Sequence, residues 1–98
     1  MGVAEPILPQ RRTVYYSGHV QGVGFRFTAR RVAGRFHVSG YVQNLEDGRV
    51  LLVAEGTAEE LDQFLAAVAR ELGRHIQHIE HAAGPGRGEF DAFDIRYA

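Results

Sequence analysis

Three glycines in seven positions, Gly18-His-Val-Gln-Gly-Val-Gly24, interrupt this chain where its periodicity changes. Before them, Thr13 to Ser17 (TVYYS) is β-branched and aromatic, the composition of a strand. After them, Phe25, Ala29, Val32, Ala33 and Phe36 recur at i, i+4, i+7, i+8 and i+11, the apolar stripe of an amphipathic helix. Glycine at this density excludes a regular element and predicts a tight strand-to-helix turn. Such a turn aims several backbone N–H groups and the positive end of a helix dipole at one point, which favours an anion and above all a phosphate. Alone, a glycine turn is more often a plain connection than a binding site.

The rest of the chain supplies the frame. Val38 to Gln43 alternates, with Val38, Gly40 and Val42 on one face, and Glu46-Asp-Gly-Arg49 carries the Asp-Gly turn of a hairpin. Val50 to Ala54 returns as the second hairpin strand. Thr57 and Glu60 have the spacing of a capping box, in which the threonine accepts from the N3 amide and the glutamate reaches back. Leu61, Phe64, Leu65, Val68 and Leu72 form the buried stripe of a second helix, stopped by Gly73. Ile76 to Ala82 reads as a weaker strand, 83–91 as a flexible loop, and Phe93, Ile95 and Tyr97 as a short closing strand. Residues 1–11 carry Pro6 and Pro9 without periodicity and read as a flexible tail before one domain, 12–98. The order βαββαβ predicts an α+β fold of the ferredoxin-like, split βαβ type. It has two helices on one face of a mostly antiparallel sheet and a short additional C-terminal strand. In that plan strands one and two run parallel with strand three between them, roughly 9–10 Å apart. The glycine loop and Asn44, at the end of strand two, then meet at one edge of the sheet.

Composition narrows the function. With 98 residues, 45% of them apolar, the chain has room for a single core. A net charge of −1 speaks against a nucleic-acid binder or a binder of acidic membranes. The absence of cysteine rules out disulfides and points to an intracellular, cytoplasmic setting. No apolar run reaches the length of a membrane span, the first ten residues lack the pattern of a signal peptide, and Pro6 replaces the Ser or Thr that myristoylation requires. A monomer is expected.

Arg26 raises the weight on the glycine loop. It lies in the first helical turn, where a cation is unfavourable by ~0.3–1 kcal/mol, and a bound dianion would turn that cost into a gain, because the guanidinium fork grips two phosphate oxygens. Arg30, Arg31 and Arg35 on the same helix read as a solvated basic face. Asn44 is the only asparagine in the chain. On position alone it could equally be a turn residue.

Gly18-His-Val-Gln-Gly-Val-Gly-Phe-Arg26, followed by Gly40-Tyr-Val-Gln-Asn44 and Asp47-Gly-Arg-Val50, resembles the acylphosphatase family. The resemblance extends from Thr13 to Tyr97, taking in Glu55-Gly56 and Phe93-Asp-Ile-Arg96. Tyr41 in place of the usual tryptophan and Glu46 in place of a proline are its departures, neither at a position that carries the chemistry. The resemblance implies hydrolysis of acyl phosphates to carboxylate and inorganic phosphate without metal or other cofactor. The backbone amides of His19, Val20, Gln21, Gly22 and Val23 would cradle the phosphoryl group in a loop shaped by Gly18 and Gly24. Arg26 would bind its oxygens and Asn44 would hold the attacking water.

Other readings are weaker. RNA-recognition modules share the βαββαβ order, but Gln21 to Thr28 lacks their basic and aromatic positions and opens a helix. A catalytically silent anion-binding or interaction domain of the same fold would have little use for both Arg26 and Asn44. His75, His78 and His81 are spaced by three, yet on a strand His78 would face away from the other two, so surface positions are expected instead of a metal site.

Overall fold

The computed structural model describes residues 9–97. Five strands and two helices follow one another as β1 (Gln10–Gly18), α1 (Phe25–Ala33), β2 (Ser39–Asn44), β3 (Val50–Gly56), α2 (Ala58–Leu72), β4 (Ile76–Pro85) and β5 (Phe93–Arg96). The sheet order is β4-β1-β3-β2-β5. β3 is antiparallel to both β1 and β2, which therefore run parallel to each other, and β5 adds in parallel to β2. The split βαβ plan and its extra terminal strand are those expected from the sequence.

Both helices cover one face of the sheet. Val14 and Tyr16 of β1, Val42 of β2 and Val50, Leu52 and Ala54 of β3 point to that face, where they meet Phe25, Ala29 and Val32 of α1 and Leu61, Phe64 and Val68 of α2. Burying a side chain such as Phe64 stabilises by roughly 1.5–3 kcal/mol. The Tyr16 hydroxyl is enclosed here as well, and burial pushes its pKa up. Asn44 lies two residues beyond Val42, on the same inward face. That alternation carries a polar side chain to the rim of the core beside the start of α1.

Four local expectations change. Gln10 and Arg11, read as part of the tail, open β1 and pair with both β3 and β4; residues 1–8 lie outside the described residues. The capping box is half formed: Thr57 Oγ1 accepts from the Glu60 amide at 3.2 Å, but Glu60 Oε1 accepts from the His37 amide at 2.7 Å and ties α2 to the entry of β2. Gly73 ends α2 without a left-handed φ, and the chain tightens into a 3-10 turn, Gly73–His75.

The fourth change concerns 83–91. Ala83 to Pro85 continue β4, and the segment beyond is tied to the sheet by Glu55. This carboxylate is only 5% exposed. It accepts from the amides of Arg87 (3.0 Å) and Gly88 (2.9 Å) and from Arg11 Nε (2.8 Å). Phe90 then lies 5.2 Å from the Arg11 guanidinium and packs edge-on to Tyr41. A run rich in glycine carries no periodic signal, and the anchor that orders it sits more than thirty residues away.

Burial opposes the charge on Glu55, but the hydrogen bonds from Arg11, Gly88 and Arg87 and the nearby positive charge outweigh it and hold its pKa below the ordinary value. A depressed folded-state pKa contributes stability that is complete above the unfolded value, about 4.3, and is lost as pH falls through the folded one. Glu55→Gln is therefore expected to destabilise the protein at pH 7 by roughly 1–3 kcal/mol. The penalty should shrink below about pH 4, as measured by urea unfolding across pH.

Candidate active site

The glycine loop is fixed at both ends. At its start, Gly18 has φ 126°, and a Cβ there would come within 2.7 Å of the His75 carbonyl oxygen and the Gln77 nitrogen, so only glycine lets the end of β1 lie so close to β4. Val20 is wholly buried and plugs the loop into the core. At its end, Gly24 takes the N-cap position of α1 in a left-handed conformation, φ 78°, with no side chain capping the helix. The first helical hydrogen bond runs from the Thr28 amide to the Gly24 carbonyl at 3.0 Å. The amides of Phe25, Arg26 and Phe27 precede it and have no partner within the helix.

Among the described residues, the amides of Val20, Gln21, Gly22 and Val23 donate to no protein acceptor. His19 differs. Its amide donates to the His75 carbonyl at 2.9 Å, so it is committed to joining β1 to the 3-10 turn before β4. Expected to join the cradle, the His19 amide instead serves the loop's anchorage.

Gln21 does more than lend an amide. Its Nε2 donates to the Leu45 carbonyl (2.7 Å) and the Arg49 carbonyl (2.9 Å), binding the tip of the loop to the β2–β3 hairpin. That hairpin is closed by a Leu45 amide to Arg49 carbonyl bond of 2.9 Å. Asp47 accepts from the backbone and side chain of Arg49, which hold its carboxyl below its ordinary pKa. Both groups that Gln21 holds thus flank the turn following Asn44. Glutamine in a glycine-rich run carries no signal of a side-chain role, and only the hairpin's return reveals the bridge.

Val20, Gly22, Gly24, Phe25, Arg26, Phe27 and Asn44 line one pocket of ≈ 170 Å³ at this edge of the sheet. The structure thus brings Arg26 and Asn44 to the same cavity. Among the described residues Arg26 makes no ion pair, and its guanidinium lies 5.1 Å from the centre of the Tyr97 ring. Arg31 and Arg35 differ from it in pairing with Glu71 of α2 at 3.1 and 3.5 Å, and Arg30 stacks on Phe27. The first turn of α1 holds no acidic residue. Asn44 Oδ1 is buried and accepts no hydrogen bond. An unmet buried acceptor costs about 1–3 kcal/mol, and here it belongs to a residue that lines the pocket.

The histidine triplet does not assemble. His75 lies in the 3-10 turn, and His78 and His81 are exposed on β4, His78 being 4.0 Å from Glu80. Among the described residues no three His, Cys, Asp or Glu side chains gather as a metal site, and no helix is long and apolar enough to cross a membrane.

Comparison with known proteins agrees with the geometry. The acylphosphatase family profile matches residues 12–95. An acylphosphatase of Syntrophus aciditrophicus is 42% identical over 90 residues, covering 90% of this chain and 93% of its own. One from Archaeoglobus fulgidus is 56% identical over 55 residues, 56% of this chain and 62% of its own. The crystal structure of acylphosphatase from Bacillus subtilis superposes with a TM-score of 0.80 at 29% identity, over 90% of this chain and 99% of that one. The family profile over residues 12–95 and a relative 42% identical across 90% of this chain make it a member of the acylphosphatase family.

Proposed function

We propose that this chain carries out its family's reaction, hydrolysis of an acyl phosphate to carboxylate and inorganic phosphate, with the cradle, Arg26 and Asn44 dividing the work. The unpartnered amides of Val20 to Val23 and of the first turn of α1 hold the phosphoryl oxygens. Arg26 adds a charged fork at the same helix end. These groups are arranged before substrate arrives, so the charge of the transferring phosphoryl group is met without reorganisation. Asn44, in the pocket lining, orients a water through its side-chain amide.

The observation that carries this reading is the pairing, in one pocket, of an arginine and an asparagine that, among the described residues, have no ion-pair partner and an unmet buried oxygen respectively. No lining side chain is a general acid suited to neutral pH, and none is needed, because a carboxylate leaves without protonation. Asn44 is too weak a base to take the water's proton, which passes to a phosphoryl oxygen of the substrate. The new P–O bond to water forms as the bond to the acyl oxygen breaks, and the electron pair leaves with the carboxylate. With charge met by amides and one guanidinium, the reaction calls for no metal, and the chain acts as a cytoplasmic monomer without nucleic-acid or membrane partner.

Three substitutions and one chelation test check this reading. Arg26→Gln should lower kcat/KM for acetyl phosphate by ~10²-fold or more and weaken inhibition by inorganic phosphate. Asn44→Ala should lose a comparable factor in kcat while keeping phosphate affinity; hydrolysis at the parent rate would remove the water-orienting role. Gln21→Ala releases the loop tip from the hairpin, and a misplacement of about 1 Å is expected to cost up to ~10²-fold in kcat, with phosphate affinity falling as well. Activity should persist undiminished in excess chelator.

A further inference from the structure

The ladder between β1 and β3 ends at the pair Tyr16 and Val50. Residues 45–49, the tip of the β2–β3 hairpin, lie beyond it and carry no strand pairing to β1. Asn44, just before the tip, is itself held by its pairing with Val50. Among the described residues, two side chains cross from the tip region to β1 and its loop. One is Gln21, which donates from the glycine loop to the Leu45 and Arg49 carbonyls. The other is Arg49. Its guanidinium lies 4.5 Å from the centre of the Tyr15 ring in β1, and its Nη1 is 3.9 Å from Glu80 Oε2 in β4.

Arg49 is held at backbone and side chain alike. Its amide and Nε donate to the Asp47 carboxylate at 3.0 and 2.8 Å. Its carbonyl accepts from the Leu45 amide and from Gln21 Nε2, both at 2.9 Å. Tyr15 is half-buried three residues before Gly18, where the loop starts. Val14 and Tyr16 point to the helices, so Tyr15 stands on the uncovered face of the sheet. A guanidinium is drawn more strongly to a partly desolvated ring than to one in open water. The root of the glycine loop and its tip are therefore tied to one residue, the root by its side chain and the tip by its carbonyl.

We infer that Arg49, which is outside the pocket lining, is a positioning residue that acts through Gln21. By stacking on Tyr15 it sets the carbonyl to which the loop tip is bound, and so the distance of the cradle from Asn44. The inference rests on the acyl phosphate reading above. A phosphoryl group in the loop and a water at Asn44 have to meet in line, and a shift of about 1 Å between them slows the step by up to ~10²-fold. The turn itself does not need an arginine. Gly48 supplies the left-handed φ of 93°, and Asp47 supplies the acceptor for the backbone. What the arginine side chain adds is the tie to β1.

Steady-state hydrolysis of acetyl phosphate by single and double variants tests this, with folding checked by circular dichroism. Arg49→Met keeps the apolar stem of the side chain and should lower kcat about three- to tenfold. Tyr15→Leu should lower it by a similar factor, and Arg49→Lys, which leaves a cation over the ring, should keep most of it. Because the arginine acts through the bridge made by Gln21, adding Arg49→Met to Gln21→Ala should cost no further activity. An arginine that only stabilised the fold would lower the melting temperature without such coupling. Full kcat in folded Arg49→Met, or a loss in the double variant equal to the product of the single losses, overturns the positioning role and leaves the hydrolysis reading intact. If Arg49→Met does not fold, Tyr15→Leu combined with Gln21→Ala decides by the same comparison. A parent enzyme inactive on acetyl phosphate overturns both readings.

Discussion

β3 is antiparallel to each of its two neighbours, and the site depends on that pairing. Because β1 and β2 both oppose β3, they run the same way and end at the same edge. The loop that leaves β1 and the asparagine that closes β2 therefore meet, although about twenty residues of helix and connection separate them. The register decides the rest. Asn44 pairs with Val50 and falls on the inward face with Gly40 and Val42, so its amide reaches the pocket. A slip of one residue would turn it to the opposite face of the sheet. Sheet pairing thus sets the distance between the loop and Asn44, and Gln21 then locks it by joining the loop to the hairpin with two hydrogen bonds.

The cradle is built by withholding partners. A helix N-terminus in a folded protein is normally capped by a side chain, and here Gly24 offers none. The first turn carries an arginine in place of an acidic residue, against the helix dipole. Asn44 holds a buried oxygen without a donor. Each departure costs stability, and all three face one cavity. Elsewhere the same chemistry is satisfied: Thr57 caps α2, Glu59 and Glu60 occupy its first turn, and Glu71 meets the arginines at the far end of α1. The contrast between the two helix starts in one small domain distinguishes a site from a surface.

Periodicity and turn chemistry made the fold legible. The stripes of Phe25 to Ala33 and Leu61 to Leu72 are the faces that pack on the sheet, and Asp47-Gly48 is the turn of the hairpin. Arg26 stands out in the sequence because its charge opposes the helix dipole, whereas Asn44, in a setting where asparagine is common, is singled out by the family resemblance. What escaped was long-range and made by side chain to backbone contacts. Nothing near His19 says that its amide belongs to His75, and nothing near Glu60 says that its carboxylate will bond to His37. Nothing near Glu55 in the sequence says that its carboxylate orders a segment thirty residues downstream. Such partners are chosen by the folded geometry, and local pattern cannot name them.

The pocket lining contains a guanidinium and an amide but no group that could hand a proton to a departing oxygen at neutral pH. Amides and one guanidinium would meet the phosphoryl end of a phosphate monoester as they would that of a mixed anhydride. An ester would sit there unchanged, because its alkoxide leaving group needs the proton that a carboxylate does not. Discrimination between the two kinds of phosphate would then rest on the leaving group's own acidity.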